Sequence, residues 1–282
     1  MAIDKSIDSA QLDADLTSVA NAIRTKGGTS AQLAFPAEFV SAIEDIETGG
    51  GVPPTSAYIQ TGLIHLWDAI ETEPGTDSPR ITKLNDLIGS ADLTTDDTGW
   101  VLGRDAIFPR VSDSALKFVS QSGEDIPQSA APTVEFVISP YATDSMYGLY
   151  IGKPLRRLSL FADNTVSMRG QSGRTYSTGL QSLEDLRSIT GVYDQNASTG
   201  RIFVNGAECQ QSDKTHNFSG DFDFIVIGHP TSTSYRPKYF LHCIRIYDRQ
   251  LSAAEIAANY AVDVQRFFTN SESVNDILLG GV

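Results

Sequence analysis

The stretch that decides the fold is residues 239–260, Tyr-Phe-Leu-His-Cys-Ile-Arg-Ile-Tyr-Asp-Arg-Gln-Leu-Ser-Ala-Ala-Glu-Ile-Ala-Ala-Asn-Tyr. Its first nine residues alternate as a β-strand does, which predicts a strand with at least one buried face. Ser252 lies three residues before Glu255, the spacing of a helix N-terminal capping box. One strand face is expected to carry Phe240, His242, Ile244 and Ile246, and the other Leu241, Cys243, Arg245 and Tyr247. The stretch therefore predicts a buried strand, a turn and a short capped helix.

The overall charge excludes some classes of partner. The 282 residues include 21 Lys and Arg against 35 Asp and Glu, a net charge of −14, which argues against general electrostatic binding of nucleic acid or anionic lipid. No signal peptide opens the chain, and no window of about 18–20 apolar residues suggests membrane insertion. Synthesis and folding in a cytosol are expected. Cys209 and Cys243 are too few for a disulfide scaffold, and we expect reduced thiols, with a mutual disulfide as the alternative.

The N-terminal 47 residues differ from the rest. Apolar residues recur at helical spacing over 12–23, and Gly27-Gly28 supplies a stop. A second helix is predicted to begin near Pro36 and to carry an apolar face through Ile46. Two short helices enclose too little apolar surface to be stable alone, so the hairpin is expected to dock on another copy of itself, on the rest of the chain or on a partner. Residues 1–47 are predicted to be a helical attachment and oligomerisation module.

Glycines and prolines in residues 48–57 break every periodicity and predict a linker. Short strand patterns then alternate with turns, and residues 58–270 are predicted to form one β-rich domain, followed by a tail at 271–282. Residues 71–99 are predicted to form a long surface loop whose one apolar cluster consists of Leu84, Leu87 and Ile88. Asn205-Gly206 predicts a tight hairpin.

Three parts of the chain resemble a known family. Residues 244–256, Ile-Arg-Ile-Tyr-Asp-Arg-Gln-Leu-Ser-Ala-Ala-Glu-Ile, resemble the closing strand and helix of concanavalin A-like domains of the laminin-G and pentraxin type. Val192-Tyr193-Asp194 with Val204-Asn205-Gly206, and Gly62 to Asp68, are similar to earlier strands of that family. The resemblance implies a mainly β fold, an antiparallel jelly-roll β-sandwich preceded by the small helical hairpin.

The N-terminal segment, with Phe35-Pro36 and Ala42-Ile43, resembles a short module of phage and prophage tail and fibre proteins. This resemblance implies that residues 1–47 bind other tail or baseplate proteins. It also implies a homotrimer that is synthesised in the bacterial cytoplasm and lies in the tail of a virion or phage-like particle.

Catalytic patterns were sought first among carboxylates. A glycoside hydrolase needs two facing carboxylates, and no predicted strand offers them, because Glu135 is alone and Asp221 with Asp223 lacks a nearby glutamate. The four histidines have no nucleophile motif beside them. A non-catalytic protein is expected.

Calcium is a further expectation, because relatives in the resembled family often hold this ion at the sandwich rim through loop carboxylates. The candidate ligands are Asp163, Asp194, Asp221 and Asp223. Scattered loop carboxylates also serve as ordinary turn formers, so the prediction is no cofactor, or Ca²⁺ at most.

Sugar sites pair an aromatic ring with polar groups that bind hydroxyls. The loops offer the candidate ligand-binding residues Tyr141, Tyr147, Arg174, Tyr176, Tyr235 and Arg236, with Arg156 and Arg157 as further anion contacts. The function expected is a phage tail adhesin that recognises a host cell-surface polysaccharide or glycan. The alternatives are a structural tail or baseplate subunit that binds only proteins and, third, a glycoside hydrolase.

Overall fold

The computed structural model of the chain divides into two compact units, Met1–Ser56 and Ala57–Val282. The described residues are Thr17 and those from 52 to 268 except 73–80, 95–99, 104, 110–117, 121–130, 141–148, 152–156, 161–165, 170–173, 179–185, 195, 198, 212–224 and 228–238. The predicted helical module, apart from Thr17, and the predicted tail lie outside this set. The fold below is that of the second unit.

Seventeen strands and one helix make up the described architecture after a short 3-10 turn at Thr55–Ala57. The strands are β1 (Leu63–Asp68), β2 (Lys83–Leu84), β3 (Leu93–Thr94), β4 (Trp100–Leu102), β5 (Ile107–Pro109), β6 (Phe118–Ser120), β7 (Thr133–Pro140), β8 (Leu149–Ile151), β9 (Arg157–Leu160), β10 (Val166–Arg169), β11 (Arg174–Thr178), β12 (Ser188–Asp194), β13 (Thr199–Val204), β14 (Ala207–Glu208), β15 (Gln210–Gln211), β16 (Ile225–Ile227) and β17 (Tyr239–Tyr247). Helix α1 (Ala253–Asp263) runs on into a π-helical turn at Val264–Phe268.

The strands form two antiparallel sheets. Sheet A has eight strands in the order β14-β13-β12-β7-β17-β5-β4, with β1 also pairing with β17. Sheet B has nine, in the order β15-β11-β10-β9-β8-β16-β6-β3-β2. Sequential neighbours such as β9, β10 and β11 are adjacent in the sheet, while β17 reaches the middle of sheet A from the far end of the sequence.

The main hydrophobic core lies between the sheets. Sheet A contributes Trp67, Phe136 and Ile244, and sheet B contributes Val166 and Met168, all at most 1% exposed. Two sheets packed through their apolar faces are a β-sandwich. The predicted fold class, a mainly β antiparallel concanavalin A-like sandwich, is confirmed.

Strand β17 corrects one detail of the predicted pattern. The pairing of β17 with β7 shifts register between Leu241 and Cys243, which is a β-bulge. Because a bulge inserts one residue, it reverses the facing of the residues beyond it. Leu241 therefore lies in the main core with Ile244 and Ile246, whereas His242 packs against Phe267. The expectation that His242 shares a face with Ile244 was wrong.

The helix begins as its sequence predicts. The Ser252 side chain accepts a hydrogen bond from the Glu255 N–H, and the Glu255 carboxylate accepts one from the Ser252 N–H, so the capping box is confirmed. Helix α1 packs on the face of sheet A that points away from the main core, where Ile256 joins Val192 and Tyr247 in a second apolar cluster. Sheet A is thus buried on both faces along β17.

The Asn205-Gly206 hairpin is also confirmed. It joins β13 to β14, and both residues have positive φ, 50° and 77°, the conformation that favours Asn-Gly. The Asn205 side-chain oxygen accepts hydrogen bonds from the N–H groups of Arg187 and Ser188. A Cβ on Gly206 would lie 3.0 Å from the Tyr260 Cβ, so only glycine fits the turn against α1.

The predicted surface loop at 71–99 is more ordered than expected. Two short strands of sheet B, β2 and β3, lie within it, and Leu84 is buried in the main core. Leu87 and Ile88 are 37% and 46% exposed, so the predicted apolar cluster with Leu84 does not form. The buried Asp86 side chain organises this segment instead, because its oxygens accept backbone hydrogen bonds from Leu66, Ile88, Gly89 and Ala91.

The two cysteines of the chain, Cys209 and Cys243, are both free thiols, and Cys243 is buried. Burial raises the pKa of each thiol.

Across the described residues, no helix combines the length and apolar character needed to cross a bilayer.

Candidate functional site

The structure describes four of the residues that the sequence singled out for binding. Arg157 begins β9, Asp194 ends β12, and Arg174 and Tyr176, which were expected in a loop, lie on strand β11. The remaining candidates lie outside the described residues: Tyr141, Tyr147, Arg156, Tyr235, Arg236, Asp163, Asp221 and Asp223. For those eight the assignments stay predictions.

Strand register places Arg174 and Tyr176 on one face of sheet B. Tyr176 pairs with Ser167 and Arg174 pairs with Arg169, both on β10. Directly paired residues of an antiparallel ladder share a face, and successive residues alternate. Val166 and Met168 are buried in the main core, so Ser167 and Arg169 occupy positions on the face away from the core. Arg174 and Tyr176 therefore share that outer face.

The same register extends the outer face across β9 and β8. Arg157 of β9 pairs with Arg169, and Tyr150 of β8 pairs with Arg157. The resulting cross-strand row is Tyr150, Arg157, Arg169 and Arg174, which we call the arginine row. The neighbouring row is Ser159, Ser167 and Tyr176. The arginine row and its neighbour together bring cationic, hydroxyl and aromatic residue types onto one face.

The three central strands of this face contribute basic residues and no acidic ones. Strands β9, β10 and β11 carry three arginines and no Asp or Glu, although acidic residues outnumber basic ones 35 to 21 in the chain. Like charges directly opposite each other on neighbouring strands destabilise a sheet. Helix α1 packs on sheet A, and the arginine row lies on sheet B. The outer face of β8–β11 is the candidate binding surface.

Asp194 has a local structural role. One carboxylate oxygen accepts a hydrogen bond of 2.9 Å from the Ala197 N–H, which closes the turn after β12. That bond, together with one from Gln250, lowers the pKa of Asp194. Within the part of the chain that the structure describes, no three His, Cys, Asp or Glu side chains are grouped to hold a metal. Its assignment as a calcium ligand stays a prediction.

The buried carboxylates of the sandwich form a different cluster. Glu135 and Asp263 both accept hydrogen bonds from Arg245, whose Nε lies 2.7 Å from Glu135 Oε2 and whose Nη1 lies 2.6 Å from Asp263 Oδ1. Asn259 donates a further bond to Glu135. None of the three charged side chains is more than 1% exposed. The sequence suggested that Glu135 is alone. In the structure it instead accepts hydrogen bonds from Arg245 of β17 and Asn259 of α1.

Tyr58 extends this cluster to the start of the sandwich. Its ring lies 4.1 Å from the Arg245 guanidinium carbon and 5.8 Å from that of Arg266, a cation–π arrangement. Arg266 also pairs with the buried Asp68 of β1 at 2.8 Å. Burial raises the pKa of Asp68, and Arg266 opposes that shift. The cluster connects β1, β17 and the helix that follows β17. Its role is therefore to hold these elements together within the sandwich.

Sequence reasoning identified Arg157, Arg174 and Tyr176 but missed Arg169 and Tyr150. The available signal was the alternation of Arg157-Leu-Ser-Leu and Val-Ser-Met-Arg169, in which the polar residues all fall on one face. Alternation assigns each residue to a face. The alignment of arginines across strands depends on the register, which the sequence pattern does not specify.

The two sheets, the buried closing strand and the outer-face site define the class of protein, a lectin-like β-sandwich. Residues 113–257, just over half of the chain, match the concanavalin A-like lectin/glucanases superfamily, and the chain belongs to that superfamily. No match was found among curated proteins.

Solved structures show the same fold at low sequence identity. Trypanosoma rangeli sialidase in complex with sialic acid is similar with a TM-score of 0.55 and 13% identity, over 94% of this chain and 40% of that chain. The sialidase complexed with 2,3-difluorosialic acid gives 0.54 and 13%, over 92% and 40%. The botulinum neurotoxin serotype D binding domain gives 0.50 and 14%, over 71% and 51%. This chain thus spans 40% of the sialidase and about half of the toxin domain.

Proposed function

We propose that the protein is a phage or prophage tail adhesin whose sandwich binds a host cell-surface glycan without cleaving it. The observation that carries the proposal is the outer face of β8–β11, where Arg174 and Tyr176 share a face with Tyr150 and Arg157. Aromatic rings bind the apolar side of a pyranose, while guanidinium and hydroxyl groups bind its polar substituents. Membership of a lectin superfamily supports this use of the fold.

The structural neighbours add modest support. One is a sialidase in complex with sialic acid and another is a neurotoxin binding domain. Both are distant, so the glycan assigned to this chain rests on its own residues.

The non-catalytic part of the proposal is supported by the state of the described carboxylates. Glu135 and Asp263 are both bound by Arg245 and are at most 1% exposed, which suits neither a general acid nor a nucleophile. In this proposal glycan binding requires no cofactor. The alternative is that a calcium ion binds at the predicted rim carboxylates. Incubation of the protein with the polysaccharide that it binds should release no reducing sugar, whereas release would favour the hydrolase alternative.

The tail location and the oligomer rest on the N-terminal resemblance. A trimer on a symmetric particle raises avidity, because weak sites then act together at high effective concentration. In this proposal residues 1–47 bind other tail or baseplate proteins, and the sandwich is presented at the virion surface.

A glycan array and a cell-wall pull-down with the full chain test the proposal. Binding to a defined glycan is expected, and Tyr176→Ala and Arg174→Ala should weaken it. The matched controls are Tyr260→Ala, a half-buried tyrosine of α1, and Arg201→Ala of sheet A. A wild-type protein that binds no glycan but does bind tail proteins would favour the alternative of a structural subunit.

A further inference from the structure

We propose that the arginine row binds the acid groups of an anionic polysaccharide, an inference that deepens the proposed function and rests on it. The placement that carries it is the direct pairing of Arg157 with Arg169 and of Arg169 with Arg174 on three consecutive strands. The ligand class is a polymer that carries carboxylate or phosphate groups.

The first argument concerns charge. Register places three arginines at directly paired positions on neighbouring strands, and the sequences of β9, β10 and β11 contain no Asp or Glu. A planar guanidinium forms charge-assisted hydrogen bonds with either a carboxylate or a phosphate. Three such groups at paired positions therefore favour an anionic ligand.

The second argument is geometric. Neighbouring strands lie about 4.8 Å apart, so three strands place the arginines over about 10 Å. That distance exceeds the size of one carboxylate or phosphate group, and it suits a chain with acid groups on successive units. Tyr150 at one end of the arginine row and Tyr176 in the neighbouring row supply rings for the sugars between those groups.

The third argument concerns the rest of the molecule. A net charge of −14 repels a polyanion from most of the surface. The arginine row places three cationic residues at adjacent positions, so an acidic polymer is expected to bind at the outer face of sheet B. The overall negative charge therefore favours binding of an acidic polymer at the arginine row over binding elsewhere on the protein.

The experiment titrates the full chain with polygalacturonate, with glycerol-phosphate teichoic acid and with neutral dextran, in low and in high salt. The variants are Arg169→Gln at the centre of the row, Arg169→Lys, which keeps the charge, and the control Arg201→Gln on β13 of sheet A. Arg157→Gln and Arg174→Gln repeat the test at the arginines on either side of Arg169 if the central variant fails to fold.

The expected result is binding of one or both acidic polymers and not of dextran, with the favoured polymer distinguishing carboxylate from phosphate. Arg169→Gln should weaken that binding at least about tenfold, Arg169→Lys should weaken it less, and Arg201→Gln should leave it unchanged. Raising the salt from about 0.05 to about 0.5 M should weaken it as well.

Two results would overturn the inference. Equal binding of dextran and the acidic polymers, unaffected by Arg169→Gln, would refute the anionic ligand and leave the proposed glycan binding standing. Binding of neither acidic nor neutral polymers, with a glycan array also blank, would overturn both.

Discussion

At the scale of single residues, Arg245 shows how the sandwich manages a buried charge. Its guanidinium is fully buried and holds Glu135 of β7 and Asp263 of α1 together. The cost of burying these three charges is offset only while all of them are present, because removing one leaves an uncompensated charge in a low-dielectric interior.

Replacing Arg245 should therefore be severe. Arg245→Leu leaves two carboxylates without their cation and is expected to lower the free energy of unfolding by about 3–5 kcal/mol. Urea denaturation followed by tryptophan fluorescence measures this, because both tryptophans of the chain, Trp67 and Trp100, are buried in the sandwich.

The partly exposed Arg201 of sheet A provides the control, and Arg201→Leu should cost no more than about 1 kcal/mol. Equal effects of the two substitutions would show that the buried cluster does not hold the helix on the sheet.

His242 gives the sandwich a dependence on pH. Its Nδ1–H donates to the Asp105 carbonyl at 2.8 Å, and its Nε2 accepts from the Ser139 hydroxyl at 2.9 Å, so the neutral ring satisfies both bonds. Burial lowers the pKa of His242 to about 4, against an ordinary value of 6.5. Between those two values the unfolded chain takes up a proton that the folded protein does not.

Stability should consequently fall as the pH drops from 6.5 to 4, by about 3 kcal/mol in total from this residue. His242→Gln should lose that share of the pH dependence. Chemical denaturation at several pH values compares the two proteins, and identical slopes for wild type and variant would show that His242 titrates equally in the folded and unfolded states.

At the scale of elements, helix α1 depends on its first turn. Ser252 and Glu255 exchange hydrogen bonds, and Glu255 also pairs with Arg249 at 2.6 Å. The hydrogen bonds from Arg249 and Ser252 lower the pKa of Glu255 to about 2. The cap thus stays intact down to moderately acidic pH.

Ser252→Ala removes the cap and should cost about 1 kcal/mol of stability. Ser252→Asp keeps a side-chain acceptor for the Glu255 N–H and should cost only a few tenths. The same denaturation experiment separates the two variants. If both lose the same amount, the effect does not arise from the hydrogen bond at the cap.

Elements also show how far the sequence could predict this structure. The capping box, the Asn205-Gly206 turn and the long strand before the helix follow from local patterns, and the structure confirms them. The bulge at His242 did not follow, because a single extra residue leaves the apolar alternation on either side unchanged.

The candidate site was partly predictable for the same reason. The sequence offered Arg174 and Tyr176 as a cationic and an aromatic residue close together in a loop, whereas the structure places both on strand β11, where alternation puts them on one face. Arg169 and Tyr150 joined them only through strand register, which depends on hairpin geometry and on packing across the core. The buried role of Glu135 depended on Asp263, 128 positions further along the chain, and no local pattern reports such a pairing.

At the scale of the whole molecule, the proposed adhesin is a trimer. Size-exclusion chromatography with light scattering on the full chain should give about three times the 30.5 kDa chain mass. A clean monomer at micromolar concentration would contradict the trimer, and the avidity argument would then rest on the particle alone.

The central claim is that the outer face of sheet B binds the glycan. Hydrogen–deuterium exchange of the full chain, with and without saturating polysaccharide, tests it most directly because it locates the contact along the backbone. We predict slower exchange in residues 149–151 and 157–178 and no change in β12, β13 or α1. Protection confined to sheet A or α1, with β8–β11 unchanged, would contradict the claim.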